Sequence, residues 1–139
     1  MEDAISTTSL KVRGYHLDGY GHVNHARYLE FMEEGRWDYF DKHPALMSRL
    51  GKGDVAFVAV NLNIDYRQAA VAGDELDIST RLSALGGRSA KMRHEILRRG
   101  DGALVACAEL TFVLLDVASN SAVAIEGELR DALAPLVVS

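Results

Sequence analysis

The sequence has one cysteine and two prolines in 139 residues, no long apolar run and no excess of positive charge. The single thiol, Cys107, cannot close an internal disulfide. Set inside an apolar run, it reads as a core residue, and the expected compartment is a reducing one, the cytoplasm. No run of about 18 apolar residues exists, which excludes a membrane-spanning helix. No apolar stretch follows a basic N-terminal region, so no secretory signal is expected. A net charge of −5 provides no basic surface for nonspecific nucleic-acid binding. Scarce proline, with 48% hydrophobic and 25% charged residues, argues against disorder. The length fits one domain over residues 1–139, able to bury a core without a metal or disulfide staple. Residues 1–7 carry no periodicity and are expected to be frayed.

What is present is a change of period. Residues 8–15 suit a strand, and His16 to Asn24, with Asp18, Gly19 and Gly21, suit a turn. A helix is predicted from Asn24, a good N-cap, to Asp41. Glu30, Glu34, Asp38 and Asp41 form one narrow polar stripe, which predicts a helix mostly surrounded by protein. Gly35 costs that helix about 1 kcal/mol relative to alanine, and close approach of a neighbouring backbone would explain it. His43-Pro44 ends the helix. Beyond the loop 51–54 the period falls to two. Val60, Leu62, Ile64 and Tyr66 alternate with polar residues, as do Leu76, Ile78, Thr80 and Leu82. Residues 90–98 form a further strand, and 103–116, almost continuously apolar, a strand covered on both faces. Residues 122–126 suit a short strand and 127–136 a short helix. The class is α+β, with an antiparallel sheet of about five or six strands curling around one long helix.

The segment from Val12 to Leu29, with its Leu17-Asp18-Gly19-Tyr20-Gly21-His22-Val23-Asn24 core, resembles the start of bacterial long-chain acyl-CoA thioesterases of the hotdog fold. These belong to the 4-hydroxybenzoyl-CoA thioesterase-like superfamily, and the similarity is to their FadM-type branch. Residues 61–67, 73–76 and 126–130 extend it along the chain. The resemblance implies a hotdog domain and a homodimer whose sheets join, often paired into a tetramer with sites at the subunit interface. It also implies hydrolysis of a medium- or long-chain fatty acyl-CoA thioester with Asp18 as the functional carboxylate. Tyr20 stands where the related plant acyl-carrier-protein thioesterases carry asparagine, and His25 where many relatives carry a second asparagine.

Thioester hydrolysis needs an attacking group, a donor for the carbonyl oxyanion and release of a thiol. Two routes are available to Asp18: general base on water, or direct attack to give an anhydride. Amides near Val23, Asn24 and His25, at a helix N-terminus, are the expected oxyanion donors. His22 can orient Asp18, hold water or only tie the turn to the sheet; Asn24 is first a cap. Tyr28, Phe31, Met32 and Tyr39 are chiefly core, part of which can line an acyl channel. For the CoA phosphates the candidates are Arg67, Arg88, Lys91, Arg93, Arg98 and Arg99, with Arg88-Ser89 after a glycine turn preferred. No cofactor or metal is expected, because His16, His22 and His25 lack an established zinc spacing. Two other functions fit the same fold: an acyl-CoA hydratase, and a non-catalytic acyl-CoA binding module.

Overall fold

A computed structural model describes residues 4–139. Strand β1 (Ile5–Lys11) leads into a loop and the long helix α1 (His25–Asp41). Helix α2 (Pro44–Leu50) follows, then β2 (Val55–Tyr66), β3 (Glu75–Leu85), β4 (Ser89–Arg98), β5 (Leu104–Asp116), the two-residue β6 (Ser121–Ala122) and α3 (Gly127–Leu133). The strands pair antiparallel in the order β1-β3-β4-β5-β2, with β6 on β5. Three ladders carry a register shift, at Ala59/Asn61, Leu82/Ala84 and Ile96/Leu97. Bulges of this kind bend a strand and raise its twist, which is how the sheet curls onto α1 in the expected hotdog arrangement.

Most elements follow the sequence; the short strand expected at 122–126 is reduced to β6, Ser121–Ala122, and four further differences stand out. Strand β1 begins at Ile5 and ends at Lys11, so residues 5–7 are paired; residues 1–3 of the expected frayed segment lie outside the described residues. Pro44 does not merely end α1: it occupies the first turn of α2, where its missing N–H costs nothing. β2 starts five residues before Val60, and Val60 falls in its bulge, 56% exposed rather than on the apolar face. Helix α1 is not wrapped all round, because Leu29 and Trp37 join the acidic stripe on its exposed side.

The core lies between α1 and the sheet. Met32, Tyr28 and Phe31 pack with Leu76, Ile78 and Ile96, and a second cluster at the other end joins Tyr39, Leu46, Leu114 and Leu129. In β5, Val105, Ala106, Cys107 and Ala108 are buried in succession, as expected of a strand covered on both faces. Gly35 meets side chains rather than backbone: a Cβ there would stand 2.7 Å from Thr80 Oγ1 and 3.1 Å from Ile78 Cγ2.

Thr80 belongs to a buried polar chain. Arg36 Nη1 lies 3.1 Å from His94 Nε2, and His94 Nδ1 lies 3.0 Å from Thr80 Oγ1. A guanidinium only donates, so Nε2 accepts and the ring proton sits on Nδ1, donating to Thr80. Burial, and then the charge of Arg36, hold the His94 imidazole down at about 3, against 6.5 in an unfolded chain. Between those values the unfolded chain binds more protons, so stability falls as pH falls. From pH 7 to pH 5 this site should remove roughly 2 kcal/mol, read by urea unfolding at the two values. His16, also lowered by burial and then by Arg27, acts in the same direction. A His94→Gln variant with an undiminished pH slope would assign the proton uptake elsewhere.

Candidate active site

The loop between β1 and α1 is a small, locally closed structure. A 3-10 turn (Gly14–His16) opens it, and Leu17 and Val23 then pair as an isolated antiparallel bridge. The Asp18 N–H donates to His22 O at 2.8 Å, and Gly21 holds φ +78°, a left-handed value that favours glycine. Three bonds pin the loop from outside and within: Val12 N–H to Asp74 O at 2.8 Å, Val23 N–H to Ala70 O at 2.9 Å, and Asn24 N–H to His16 O at 2.9 Å.

Asp18 sits exposed at the tip of this hairpin. Its Oδ1 accepts the Tyr20 N–H at 2.8 Å and the His22 N–H at 3.2 Å, an Asx turn. Oδ2 has no partner among the described residues. One carboxylate therefore divides its work: one oxygen shapes the turn and the other is unpaired among the described residues.

Helix α1 begins seven residues later. Asn24 Oδ1 caps it by accepting the Ala26 N–H at 2.9 Å, and Asn24 O accepts the Arg27 N–H at 2.9 Å. Between them, the His25 N–H donates to no acceptor among the described residues. This narrows the expectation for the oxyanion donor. The Val23 and Asn24 amides are already spent on Ala70 and His16 carbonyls, so the open donor at the helix N-terminus is that of His25.

The other expected residues fall as follows. The exposed His22 lends its amide to Asp18, and its ring makes no hydrogen bond among the described residues. Tyr28 is 3% exposed, its ring 5.6 Å from that of Tyr66. Burial pushes its phenol above the ordinary tyrosine value. Tyr66, read from sequence only as a strand residue, donates its hydroxyl to His25 O at 3.0 Å and so braces the first turn of α1. Its place beside the loop is set by pairing across the sheet, which no local pattern reveals.

Arg67 directly follows β2, where its N–H donates to Val105 O, at the same end of the sheet as Asp18. Arg88 and Ser89 lie at the other end: Ser89 pairs with Val113, whereas Tyr66 pairs with Ala106. Seven residues of β5 separate these positions, roughly 24 Å, so one protomer does not gather Arg88 and Ser89 around Asp18. The glycine turn before them spends its Gly86 N–H on Ser89 O at 2.7 Å. Arg98 pairs with Asp74 and Asp101, Arg99 with Glu75 and Asp77, and Lys91 with Glu109.

Because Asn24 both caps α1 and holds His25 in place, Asn24→Ala is expected to cost about 1 kcal/mol of stability. Turnover should fall with it, read by chemical unfolding and thiol release on one preparation. Full stability after the substitution would show that the cap bond contributes nothing.

Comparison with known proteins gives the family. The family model described as the thioesterase-like superfamily matches residues 12–133. The long-chain acyl-CoA thioesterase FadM of Escherichia coli K12 is 46% identical over 130 residues, covering 94% of this chain and 98% of that protein. The crystal structure of YbaW, a probable thioesterase from Escherichia coli, superposes with a TM-score of 0.83 at 44% identity, covering 96% of this chain and 99% of the other. The 12:0-ACP thioesterase of Umbellularia californica shares the fold, with a TM-score of 0.91 at 13% identity over 100% of this chain and 56% of its own. With its helix-end loop, its curled sheet and a family match over most of its length, the chain belongs to the thioesterase-like superfamily.

Proposed function

We propose that the protein hydrolyses fatty acyl-CoA to the free acid and CoA, with long-chain acyl groups as the preferred class. The observation that carries this is the pairing of two unspent groups at one junction: Asp18 Oδ2 and the His25 N–H. The thioester oxygen accepts from the His25 amide, which stabilises the negative charge that develops on attack. Oδ2 either takes a proton from water as its oxygen bonds to the carbonyl carbon, or attacks that carbon itself. On the first route the C–S bond breaks and the thiolate of CoA recovers the proton. On the second, CoA leaves from a mixed anhydride that water then cleaves. Neither route requires a cofactor. Arg67, at this end of the sheet and paired with the exposed Asp65 at 3.8 Å, is the cation we assign to a CoA phosphate.

The long-chain preference is supported by the name of the Escherichia coli relative and its near-complete coverage. The minimal unit we propose is a homodimer joined through β2, and the complete assembly a tetramer in the cytoplasm. Strand β2 ends the sheet order, so among the described residues one edge of its twelve residues is unpaired, with Val58 and Val60 exposed. Such an edge is a ready template for a second chain. The test is free thiol released from an acyl-CoA series, with hydration of an enoyl-CoA followed in parallel. Thiol release greatest with long chains is expected. Hydration without thiol release, or tight binding with neither reaction, would replace this function by one of the two alternatives.

A further inference from the structure

One short piece of chain ties the start of α1 to the sheet. Tyr66 closes β2, where it pairs with Ala106, and the next two amides, of Arg67 and Gln68, both donate to Val105 O, at 2.8 and 3.1 Å. At the far end of this piece Ala70 O accepts the Val23 N–H at 2.9 Å. At its near end the Tyr66 hydroxyl donates to His25 O at 3.0 Å. Residues 66–70 therefore grip the chain on both sides of Asn24. The grip is itself fastened to the end of β4: Arg98 Nη1 donates to Ala69 O at 2.9 Å and Arg98 Nη2 to Gln68 Oε1 at 2.8 Å. Rings set the phenol sideways, with that of the buried Tyr28 at 5.6 Å and that of His25 edge-on at 6.5 Å.

The hydroxyl acts on the residue whose amide is unspent. A peptide group is a rigid plane, so an N–H points where its plane points. The His25 N–H shares a plane with Asn24 O, and that oxygen is fixed by the Arg27 N–H at 2.9 Å. The plane on the other side of His25 ends in His25 O, which Tyr66 fixes. With both planes held, His25 has little freedom about its two backbone torsions, and its N–H keeps one direction. Without the phenol the first turn keeps its Asn24 cap but loses this tether to the sheet, and helix ends fray.

We propose that Tyr66 is a positioning residue for hydrolysis: its hydroxyl holds His25 so that the His25 N–H meets the thioester oxygen as charge develops there. The assignment rests on the thioesterase function above. Removing such a donor outright costs about 10²–10³ in rate and loosening it costs less, so about tenfold in kcat is expected when the hydroxyl is lost.

Tyr66→Phe removes the hydroxyl and keeps the ring with its contacts to Tyr28 and His25. Tyr66 is 46% exposed, so water can reach His25 O in its place, and the variant should unfold at nearly the denaturant concentration of wild type. With palmitoyl-CoA its kcat should fall about tenfold while KM stays within about twofold. Two ligands that are not hydrolysed separate positioning from general loosening. One is the ketone in which a methylene replaces the thioester sulfur of palmitoyl-CoA, so that the carbonyl is kept. The other is S-hexadecyl-CoA, a thioether with no carbonyl. Tyr66→Phe should weaken binding of the ketone about threefold or more, the share of one hydrogen bond, and leave the thioether unchanged. Replacing Tyr66 by 4-aminophenylalanine, whose N–H can donate to His25 O, should restore both kcat and affinity for the ketone.

Wild-type kcat in Tyr66→Phe overturns the assignment. So does an equal loss of affinity for the two ligands, which would reduce Tyr66 to a brace of the fold. Should Tyr66→Phe fail to fold, the 4-aminophenylalanine protein decides alone: the assignment requires near-wild-type kcat of it, and a depressed kcat in the folded protein overturns it. Wild-type protein that releases no thiol from any acyl-CoA would instead remove the thioesterase function, and the part of Tyr66 with it.

Discussion

Asp18→Ala is expected to lower turnover of a long-chain acyl-CoA by about three orders of magnitude, within the range that a positioned base or nucleophile contributes. The fold should survive. Asp18 is exposed, and the two amides it serves, of Tyr20 and His22, are exposed with it and can bond to water instead. The loop stays pinned by the backbone bonds from Val12 to Asp74 and from Val23 to Ala70. The comparison is therefore thiol release by wild type and variant at matched oligomeric state and matched unfolding midpoint. A variant that folds alike and keeps turnover within about tenfold of wild type would show that the remaining groups, chiefly the His25 amide, carry the reaction by oxyanion stabilisation.

The largest effect on stability is expected at Gly35. Alanine would gain about 1 kcal/mol of helix propensity there. Its methyl, however, would lie 2.7 Å from Thr80 Oγ1 and 3.1 Å from Ile78 Cγ2. Thr80 is fully buried, and its oxygen is held by His94, so it cannot swing aside without breaking that bond. Overpacking of this kind costs about 1–3 kcal/mol. Alanine should thus come out destabilising by about 1 kcal/mol and valine by about 3 kcal/mol, once propensity is netted against the clash. For valine that corresponds to a fall in Tm of roughly 10 °C. Thr80→Ala removes the atom that the new methyl strikes, so Gly35→Ala with Thr80→Ala should lose less than the two separate costs combined. Strict additivity would mean that the clash is relieved elsewhere.

Periodicity made most of the fold readable in advance, because one buried face stamps its spacing on the chain. Leu76, Ile78, Thr80 and Leu82 alternate as a half-buried strand must, and all four are buried. Helix α1 carries its cap and its acidic stripe where expected. What escaped was non-local or irregular. Val60 fits an alternating pattern, but a bulge shifts it out of register. The exposed side of α1, with Leu29 and Trp37, looked enclosed because composition does not record which way a helix faces. At the site, Asp18 is legible only through a resemblance, and its second carboxylate oxygen is unpaired among the described residues. The choice among the helix-end amides depended on two carbonyls, Ala70 and His16, one of them nearly fifty residues away. Arg36 and His94 went unnoticed, although a histidine in the buried register of β4 between Met92 and Ile96 is a signal that a partner must exist.

The Asp18 hairpin closes largely upon itself, within some dozen consecutive residues before α1, whereas the cavity at the far end of α1, lined by Trp37, Met47, Phe57 and Phe112, is assembled from three helices and four strands. The two therefore draw on different stretches of the gene. Substitutions in α2 or in the first residues of β2 reshape that cavity while the backbone bonds of the hairpin stay in place.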